Sequence, residues 1–195
     1  MDTTRPSLLI RIKNRGDRSA WYEFDAIYRP LLQRFARARG LSESEADEIA
    51  QQCMTAVDQH IGRFEYDPRR GRFKAWLATM VNNRIKNMLR DRRETQAQTA
   101  DFAGLAESGA TPDEIFDKLW QQEHLKHCLR LIRGEVEPTT FSAFVAYVME
   151  EQPVEAVCKR FDMTANQVHA IKSRMVKRIR QRMTDLLGEE EQDVV

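Results

Sequence analysis

The sequence predicts an all-α protein made of two small helical domains joined by a flexible linker. Apolar residues recur mostly at three- and four-residue spacings, helix-capping residues are frequent, and the alternation typical of strands is nearly absent. Between two helical stretches, residues 94–110 lose this periodicity and are rich in Ala, Gln, Thr, Ser and Gly, a composition typical of linkers. We therefore expect domains at 1–93 and 111–188, followed by an acidic tail at 189–195.

The first domain should contain two capped helices before its basic part. A helix over residues 18–39, kinked at Pro30, is expected to end at Gly40. Ser42 and Glu45 have capping-box spacing and should begin a second helix. The predicted buried stripe of this second helix comprises Ala46, Ile49, Cys53, Val57 and Ile61.

The second domain should begin with a capping box as well. Thr111, Pro112 and Glu114 combine an N-cap, a proline at the first helical position and a glutamate three residues after the cap. The predicted stripe of this helix comprises Ile115, Leu119, Leu125, Leu129 and Ile132. After Pro138, Thr139 or Thr140 is expected to cap a further helix.

Composition excludes several classes of protein. With 42% hydrophobic residues the chain can bury a core, and it has no apolar run near the roughly 20 residues that span a bilayer. Three widely spaced cysteines fit a reducing compartment better than a disulfide framework. Nucleotide chemistry has no support, because no glycine-rich phosphate loop is present. We expect a cytoplasmic, non-enzymatic protein without cofactors, metal ions or membrane insertion.

The last two helices form a helix-turn-helix pattern. A short helix from Val154 to Phe161 precedes a three-residue turn and a long helix from Ala165. Ala156 and Val168 are expected to fill the contact between them. The start of such a second helix reaches base edges, where Asn and Gln pair with adenine and Arg or Lys with guanine. The residues expected to contact duplex DNA are Thr164, Asn166, Gln167, His169, Lys172, Ser173, Arg174 and Lys177. The competing interpretation is a solvated basic helix in an ordinary bundle.

A second group of basic and amide residues follows the turn at Pro68. On the helix after this turn, they lie opposite an apolar stripe that includes Met80 and Ile85. Basic grooves and stacking planes hold unpaired bases, so this composition suits single-stranded DNA. Phe73 and Trp76 are interpreted as core residues instead. The residues assigned to this contact are Arg69, Arg70, Arg72, Asn82, Asn83, Lys86, Asn87 and Arg90.

Charge is divided into opposed blocks, although the formal net charge is only +1. Residues 42–58 carry five carboxylates and no Lys or Arg, whereas residues 69–93 carry nine basic residues against one Asp. Residues 94–118 are acidic again, and residues 159–182 carry eight basic residues against one Asp. Both groups of predicted DNA contacts therefore lie in positive blocks.

These residues carry a resemblance to a known family. Region 2 of the sigma-70 initiation factors is similar to EADEIAQQCMTAVDQHIGRFEYDPRRGRFKAWLATMVNNRIKNMLRDRR, and region 4 is similar to FDMTANQVHAIKSRMVKRIRQRM. Because no region 3 lies between them, the chain resembles the short extracytoplasmic-function (ECF) type, particularly the branch described from planctomycetes.

The resemblance implies a role for each block. Asp47, Glu48 and Gln51 match the part that docks on the clamp helices of the RNA polymerase β′ subunit. Asn82 matches the −10 reading position of the element that opens the promoter, and the helix-turn-helix matches the −35 reader. The implied partners are core RNA polymerase and promoter DNA, an anti-sigma factor stays open, and the free protein is expected to be a monomer. Gln52 departs from the usual Glu, and the common Leu-Pro before the helix-turn-helix is missing.

The predicted linker would act as a tether between two DNA-reading heads. Its 17 residues extend to at most about 55 to 60 Å. Two sites two helical turns apart lie on the order of 70 Å from each other. Adding the widths of two small domains makes this span comfortable.

Two other classes of function stay open, together with one metal site. A helix-turn-helix regulator would bind duplex DNA without melting it, usually as a dimer, and a helical adaptor would make no DNA contact. His124, His127 and Cys128 occupy positions i, i+3 and i+4 of one helix but lack a fourth ligand. Leu125 and Leu129 indicate that this helix packs instead.

Overall fold

The computed structural model describes residues 8–64, 72–96 and 110–187. These residues contain helices and turns but no strand, which confirms the all-α class. The helices are α1 (Leu8–Arg11), α2 (Arg18–Ala38), α3 (Glu43–His60), α4 (Arg72–Gln96), α5 (Pro112–Arg133), α6 (Pro138–Phe144), α7 (Val154–Phe161) and α8 (Ala165–Leu187). A 3-10 turn, Ile61–Arg63, follows α3, and a π-helical turn, Val145–Met149, follows α6. The end of α4 lies three residues inside the predicted linker, and the tail at 189–195 lies outside the described residues.

Both predicted capping boxes are confirmed. At α3, the Ser42 hydroxyl accepts from the Glu45 N–H at 3.3 Å, and the Glu45 carboxylate accepts from the Ser42 N–H at 2.7 Å. Thr111 and Glu114 repeat the arrangement at α5. The bonds to Ser42 lower the pKa of Glu45, and those to Thr111 lower the pKa of Glu114. The sequence therefore specified these two helix starts locally.

The C-terminal end of α2 depends on Gly40. Its φ of 89° lies in the left-handed region, which a residue without Cβ enters freely. The N–H of Leu41 then donates to the Ala36 carbonyl oxygen at 3.2 Å, which is a Schellman-type bond. Arg39, the C-cap residue, is held in place by this turn. Upstream of it, α2 is one helix that includes Pro30.

A first core joins α1, α2, α3 and α4. Phe24, Leu31 and Phe35 on α2 are buried against the predicted stripe of α3 and against α4. In the segment before α2, Leu8, Leu9 and Ile12 are buried in the same core. Packing of α1 against α2 and the end of α8 explains their burial.

Helix α5 contributes its first half to the same core. Phe116 and Trp120 are buried among the aromatic side chains of α2 and α4, and the distance between the ring centroids of Trp120 and Tyr28 is 5.4 Å. Leu125, which the predicted stripe turned inward, is 39% exposed, so that part of the prediction is wrong. His124 takes the inward position because its ring finds hydrogen-bond partners there. The division into two domains at 94–110 stays a prediction.

The second core holds α6, α7 and α8 together at the other end of α5. Ile132, Phe144, Val157 and Val168 are buried in it. Two local predictions here are wrong. Thr139 and Thr140 lie inside α6, which begins at Pro138 after the N-cap residue Glu137, since the proline already supplies a favourable first helical position. Ala156 is exposed on α7, because Val157 fills the contact instead.

Candidate nucleic-acid and polymerase interface

Helices α7 and α8 form the predicted helix-turn-helix. The turn contains Asp162 in the left-handed region with φ 53°, and the Met163 N–H donates to the Cys158 carbonyl oxygen at 3.0 Å. Val168 and Ile171 are buried beneath α8, as the spacing predicted. Because this side of α8 is packed in the core, the opposite side of the helix faces solvent.

The outward side of α8 carries the residues assigned to duplex DNA. All of them are exposed, namely Thr164, Asn166, Gln167, His169, Lys172, Ser173, Arg174 and Lys177. Arg178, which follows them, is exposed as well. The structure thus brings the predicted duplex contacts together on one surface.

Thr164 and Gln167 are partly used in capping α8. The Gln167 N–H donates to the Thr164 hydroxyl at 3.3 Å, and the Thr164 N–H donates to the Gln167 side-chain oxygen at 2.7 Å. Bidentate pairing of Gln167 with adenine needs this oxygen as an acceptor. Such pairing would compete with the cap, whereas the amide NH₂ of Gln167 is left for other contacts.

His169 and Lys172 contact Tyr147 at the edge of the surface. The Tyr147 hydroxyl lies 3.3 Å from His169 Nδ1, and Lys172 Nζ lies 5.6 Å from the centre of the tyrosine ring. Farther along α8, the Arg174 guanidinium donates to the Ala170 carbonyl oxygen at 3.4 Å. Lys177 forms no ion pair with another described residue. None of Lys172, Arg174 and Lys177 pairs with an acidic residue in the described part of the chain, so these cations are placed for phosphate contact.

The polar side of α4 holds the second predicted contact. Asn83, Lys86, Asn87 and Arg90 are exposed. Arg90 lies 3.5 Å from Asp91 and 3.9 Å from Glu94, both exposed, so these contacts restrain it weakly. Arg69 and Arg70 lie outside the described residues, and Arg72 is described only as the first residue of α4.

Asn82 differs from its neighbours on α4. It is half-buried, and its side-chain oxygen accepts from Arg39 Nη1 at 2.8 Å. Sequence reasoning missed Arg39, because it lies 43 residues away at the end of α2. The only available signal was its place just before the capping Gly40.

The interpretation of Phe73 and Trp76 as core residues is confirmed. Phe73 is buried, with its ring 5.9 Å from that of Phe24. Trp76 is half-buried and packs on Phe64, with ring centroids 5.3 Å apart. Phe73 is therefore enclosed in the first core, and Trp76 packs against it from the side.

Helix α3 presents the residues that the resemblance assigned to polymerase docking. Asp47, Glu48 and Gln51 are exposed on the side opposite the core. Asp47 accepts from Gln33 at 2.8 Å, and Gln51 accepts from Arg29 at 3.1 Å. These hydrogen bonds fix two side chains of the acidic surface against α2, and the surface remains exposed.

An open groove of about 700 Å³ lies beside this acidic surface, between α2 and α3. Gln51 and Met54 line it from α3, and Trp21 and Tyr22 line it from α2. Tyr22 is 77% exposed, which is unusual for a large aromatic side chain. The helical stripe of α2 could have shown Tyr22 as an outward aromatic, but sequence reasoning did not single it out.

A polar layer is buried between α2 and α5. The Nδ1–H of His124 donates to the Trp120 carbonyl oxygen at 2.8 Å, and the Tyr28 hydroxyl donates to its Nε2 at 3.1 Å. Burial lowers the pKa of His124 to about 4, although the bond to Trp120 opposes this shift. The ring is therefore neutral, and both of its nitrogens are engaged.

Two carboxylates border this layer. Burial would raise the pKa of Glu123, but hydrogen bonds from Lys126 and Arg34 outweigh it and hold the pKa below its ordinary value. The pKa of Glu23 is also lowered, chiefly by its hydrogen bond with His127, whose Nε2 lies 3.4 Å away. The contacts of Arg34 with Glu123 and of His127 with Glu23 link α2 to α5, whereas the contact of Lys126 with Glu123 lies within α5.

The residues considered for a metal site do not converge. His124 uses both ring nitrogens, and burial raises the pKa of the Cys128 thiol to about 12, which disfavours the thiolate that binds metals. Among the described residues, no group of three or more His, Cys, Asp or Glu side chains could hold a metal ion. Within the same residues, no helix is long and apolar enough to cross a membrane.

A comparison with known protein families matches part of the N-terminal helices. Residues 26–95 match the family model described as Sigma-70 region 2. This stretch contains most of α2, all of α3 and α4 up to its penultimate residue. No curated protein matches the chain significantly. The matched stretch holds both the acidic side of α3 and the polar side of α4. Over residues 26–95, the chain is therefore similar to region 2 of the sigma-70 family.

Proposed function

We propose that this protein binds core RNA polymerase, directs it to specific promoters and nucleates strand opening at the −10 element. The observation that carries the proposal is the region 2 match over residues 26–95. We further assign the chain to the ECF type, in its planctomycete-like branch, because its sequence shows no region 3 between region 2 and the helix-turn-helix. Core polymerase and promoter DNA would be the partners, and no reaction on a substrate is required.

In this proposal, the acidic side of α3 docks on the β′ clamp helices. Asp47 and Glu48 are exposed and carry negative charge, and the neighbouring Gln51 reaches the groove beside Tyr22. A basic clamp surface would complement this charge. The exposed aromatic ring offers an apolar anchor next to it, which is the composition that protein interfaces favour.

The polar side of α4 would then hold the separated strand. Opening is driven by binding energy, because each base-pair step lost removes about 1.4 kcal/mol of stacking. Capture of an unpaired base returns roughly 1 to 3 kcal/mol. Opening several base pairs therefore needs the polymerase contacts as well, which is why docking and melting belong to one domain.

The outward side of α8 would read duplex DNA at the −35 element. Its exposed amides lie at the start of the helix, where base edges are reached, and Arg174 and Lys177 follow where phosphates are gripped. A packed underside keeps this helix rigid. The same geometry would also suit a helix-turn-helix regulator that does not melt DNA, which is the second candidate function.

Run-off transcription with purified core polymerase tests the main proposal. We expect the full chain to direct specific initiation from a subset of fragments in a genomic promoter library, while core enzyme alone does not. Absence of initiation from every fragment would refute the proposal. The regulator predicts tight DNA binding without polymerase and a dimeric mass, so a gel shift and size-exclusion chromatography of the same preparation separate the two functions.

Replacing both Arg174 and Lys177 by Ala should weaken −35 duplex binding and reduce its salt dependence. If each contacts one phosphate, the slope of log affinity against log salt should fall by about 2 in magnitude. The measurement is holoenzyme binding to a promoter fragment between about 50 and 200 mM salt. Replacing Lys118, an exposed cation of α5, is a control for loss of positive charge. An unchanged slope in the double variant would show that Arg174 and Lys177 of α8 do not contact phosphates.

A further inference from the structure

The side-chain amide of Asn82 has a defined orientation. Its oxygen accepts from Arg39 Nη1 at 2.8 Å. A guanidinium group has five N–H donors and no acceptor, so only the oxygen of the amide can face it. The NH₂ group of Asn82 is therefore turned away from Arg39 and remains available as a donor.

Arg39 is itself held by the end of α2. Its backbone N–H donates to the Phe35 and Ala36 carbonyl oxygens, each at 3.1 Å. The left-handed turn at Gly40 fixes the direction of the chain after it. The guanidinium lies 5.9 Å from the centre of the Phe35 ring, and this ring is buried. Backbone, turn and ring together limit the positions that the guanidinium can take.

The neighbouring asparagines lack such a restraint. Asn83 and Asn87 are exposed and form no hydrogen bond with another described residue, so each amide can rotate to present either its oxygen or its NH₂ group. Asn82 is half-buried and has only one orientation that keeps the bond to Arg39. On this surface, Asn82 is the amide with a fixed donor.

We propose that Arg39 is a positioning residue that makes Asn82 a donor-only reader of one unpaired base in the −10 element. The inference rests on the proposed function, because it takes Asn82 to face that base. Every base offers acceptor atoms, and an unpaired base is read on its Watson–Crick and Hoogsteen edges. With its NH₂ group fixed as the donor, Asn82 therefore selects the base whose acceptor atom lies opposite that donor and disfavours a base that presents a donor there. Arg39 does not contact the base in this arrangement.

The test uses holoenzyme made from core polymerase and the full chain. Run-off transcription is measured on one active genomic promoter in which each −10 position is randomised in turn. The Asn82 position is the one at which Asn82→Ala flattens the base preference. At that position, Arg39→Ala should reduce the preference for the favoured base by about five- to tenfold. Preferences at the other positions should stay unchanged.

Two matched variants separate positioning from charge and folding. Arg37→Ala removes the same charge from an exposed residue two positions earlier, and it should leave the preference intact. Arg39→Lys keeps a donor and should retain most of the discrimination. The preference is a ratio within one preparation, so a smaller folded fraction does not change it.

The outcomes distinguish the levels of the proposal. If Arg39→Ala lowers transcription equally for all four bases, Arg39 is only structural and the positioning role is overturned. If Asn82→Ala flattens no position although transcription continues, the assignment of Asn82 to a base is wrong, and the role of Arg39 falls with it. Absence of transcription with the unsubstituted chain would instead contradict the proposed function.

Discussion

Trp120→Ala should lower the free energy of unfolding by about 3 to 5 kcal/mol, the range for truncating a buried tryptophan. Trp120 is 3% exposed, and its ring lies 4.6 Å from that of His124 and 5.9 Å from that of Phe116. The loss combines buried apolar area with the cavity left between α2, α4 and α5. Urea unfolding followed by circular dichroism measures it.

The same substitution also tests to which core α5 belongs. If α5 stabilises α2 and α4 as the packing indicates, their amide protons should exchange faster in the variant. Leu125→Ala is the matched control on the same helix. Leu125 is 39% exposed, so the control should change stability by no more than about 0.5 kcal/mol. Equal stability of the two variants, or unaltered exchange in α2, would contradict the packing of α5 into the first core.

Acidification should begin to destabilise the protein near pH 6.5, before most carboxylates titrate. The folded state lowers the pKa of His124 from 6.5 to about 4, so between these values the unfolded state binds more protons. Stability is therefore complete above about pH 6.5 and falls as the pH decreases towards 4. The difference corresponds to roughly 3 kcal/mol. The free energy of unfolding at a series of pH values measures it.

His124→Gln removes the titrating group and keeps an amide that can donate to Trp120 and accept from Tyr28. Its stability should vary much less between pH 6.5 and 4, whatever its absolute value. The lowered pKa values of Glu23 and Glu123 act mostly below their ordinary value of 4.5, so they add a separate loss at lower pH. An equal slope in the variant and the original protein would show that His124 is not the cause.

Features specified by neighbouring residues were predictable from the sequence. Ser42 with Glu45 marked the start of α3, and Thr111 with Glu114 marked the start of α5, because a capping box is closed within four residues. The helix-turn-helix was predictable for the same reason. Its short turn and its buried Val168 leave few other arrangements for the chain.

Features that depend on distant partners were not predictable. His124 is buried in place of Leu125 only because Tyr28, 96 residues away, offers a hydroxyl to its ring. Helix α1 has only four residues, too few for a periodic signal, and it is buried where α2 and α8 meet. Arg39 and Asn82 join the end of α2 to α4 across 43 residues, and neither helix has a local sequence signal that calls for the other. A single sequence contains no local trace of such pairs.

The length of α5 has a consequence for promoter reading. Its 22 residues rise about 33 Å at 1.5 Å per residue. Its first half is held in the core of α2 and α4, and its last turn in that of the helix-turn-helix. Adding about 10 Å for a helix at each end gives about 53 Å, which is short of the roughly 70 Å between two sites two turns apart.

If the proposed function holds, one molecule in this closed conformation cannot occupy both promoter elements. Reading them together would require α5 to leave α2 and expose Phe116 and Trp120. The free energy of that separation would be subtracted from promoter affinity as a conformational cost. Core polymerase would therefore have to favour the open form, so free protein would bind paired promoter elements more weakly than its two DNA surfaces would allow if they were independent.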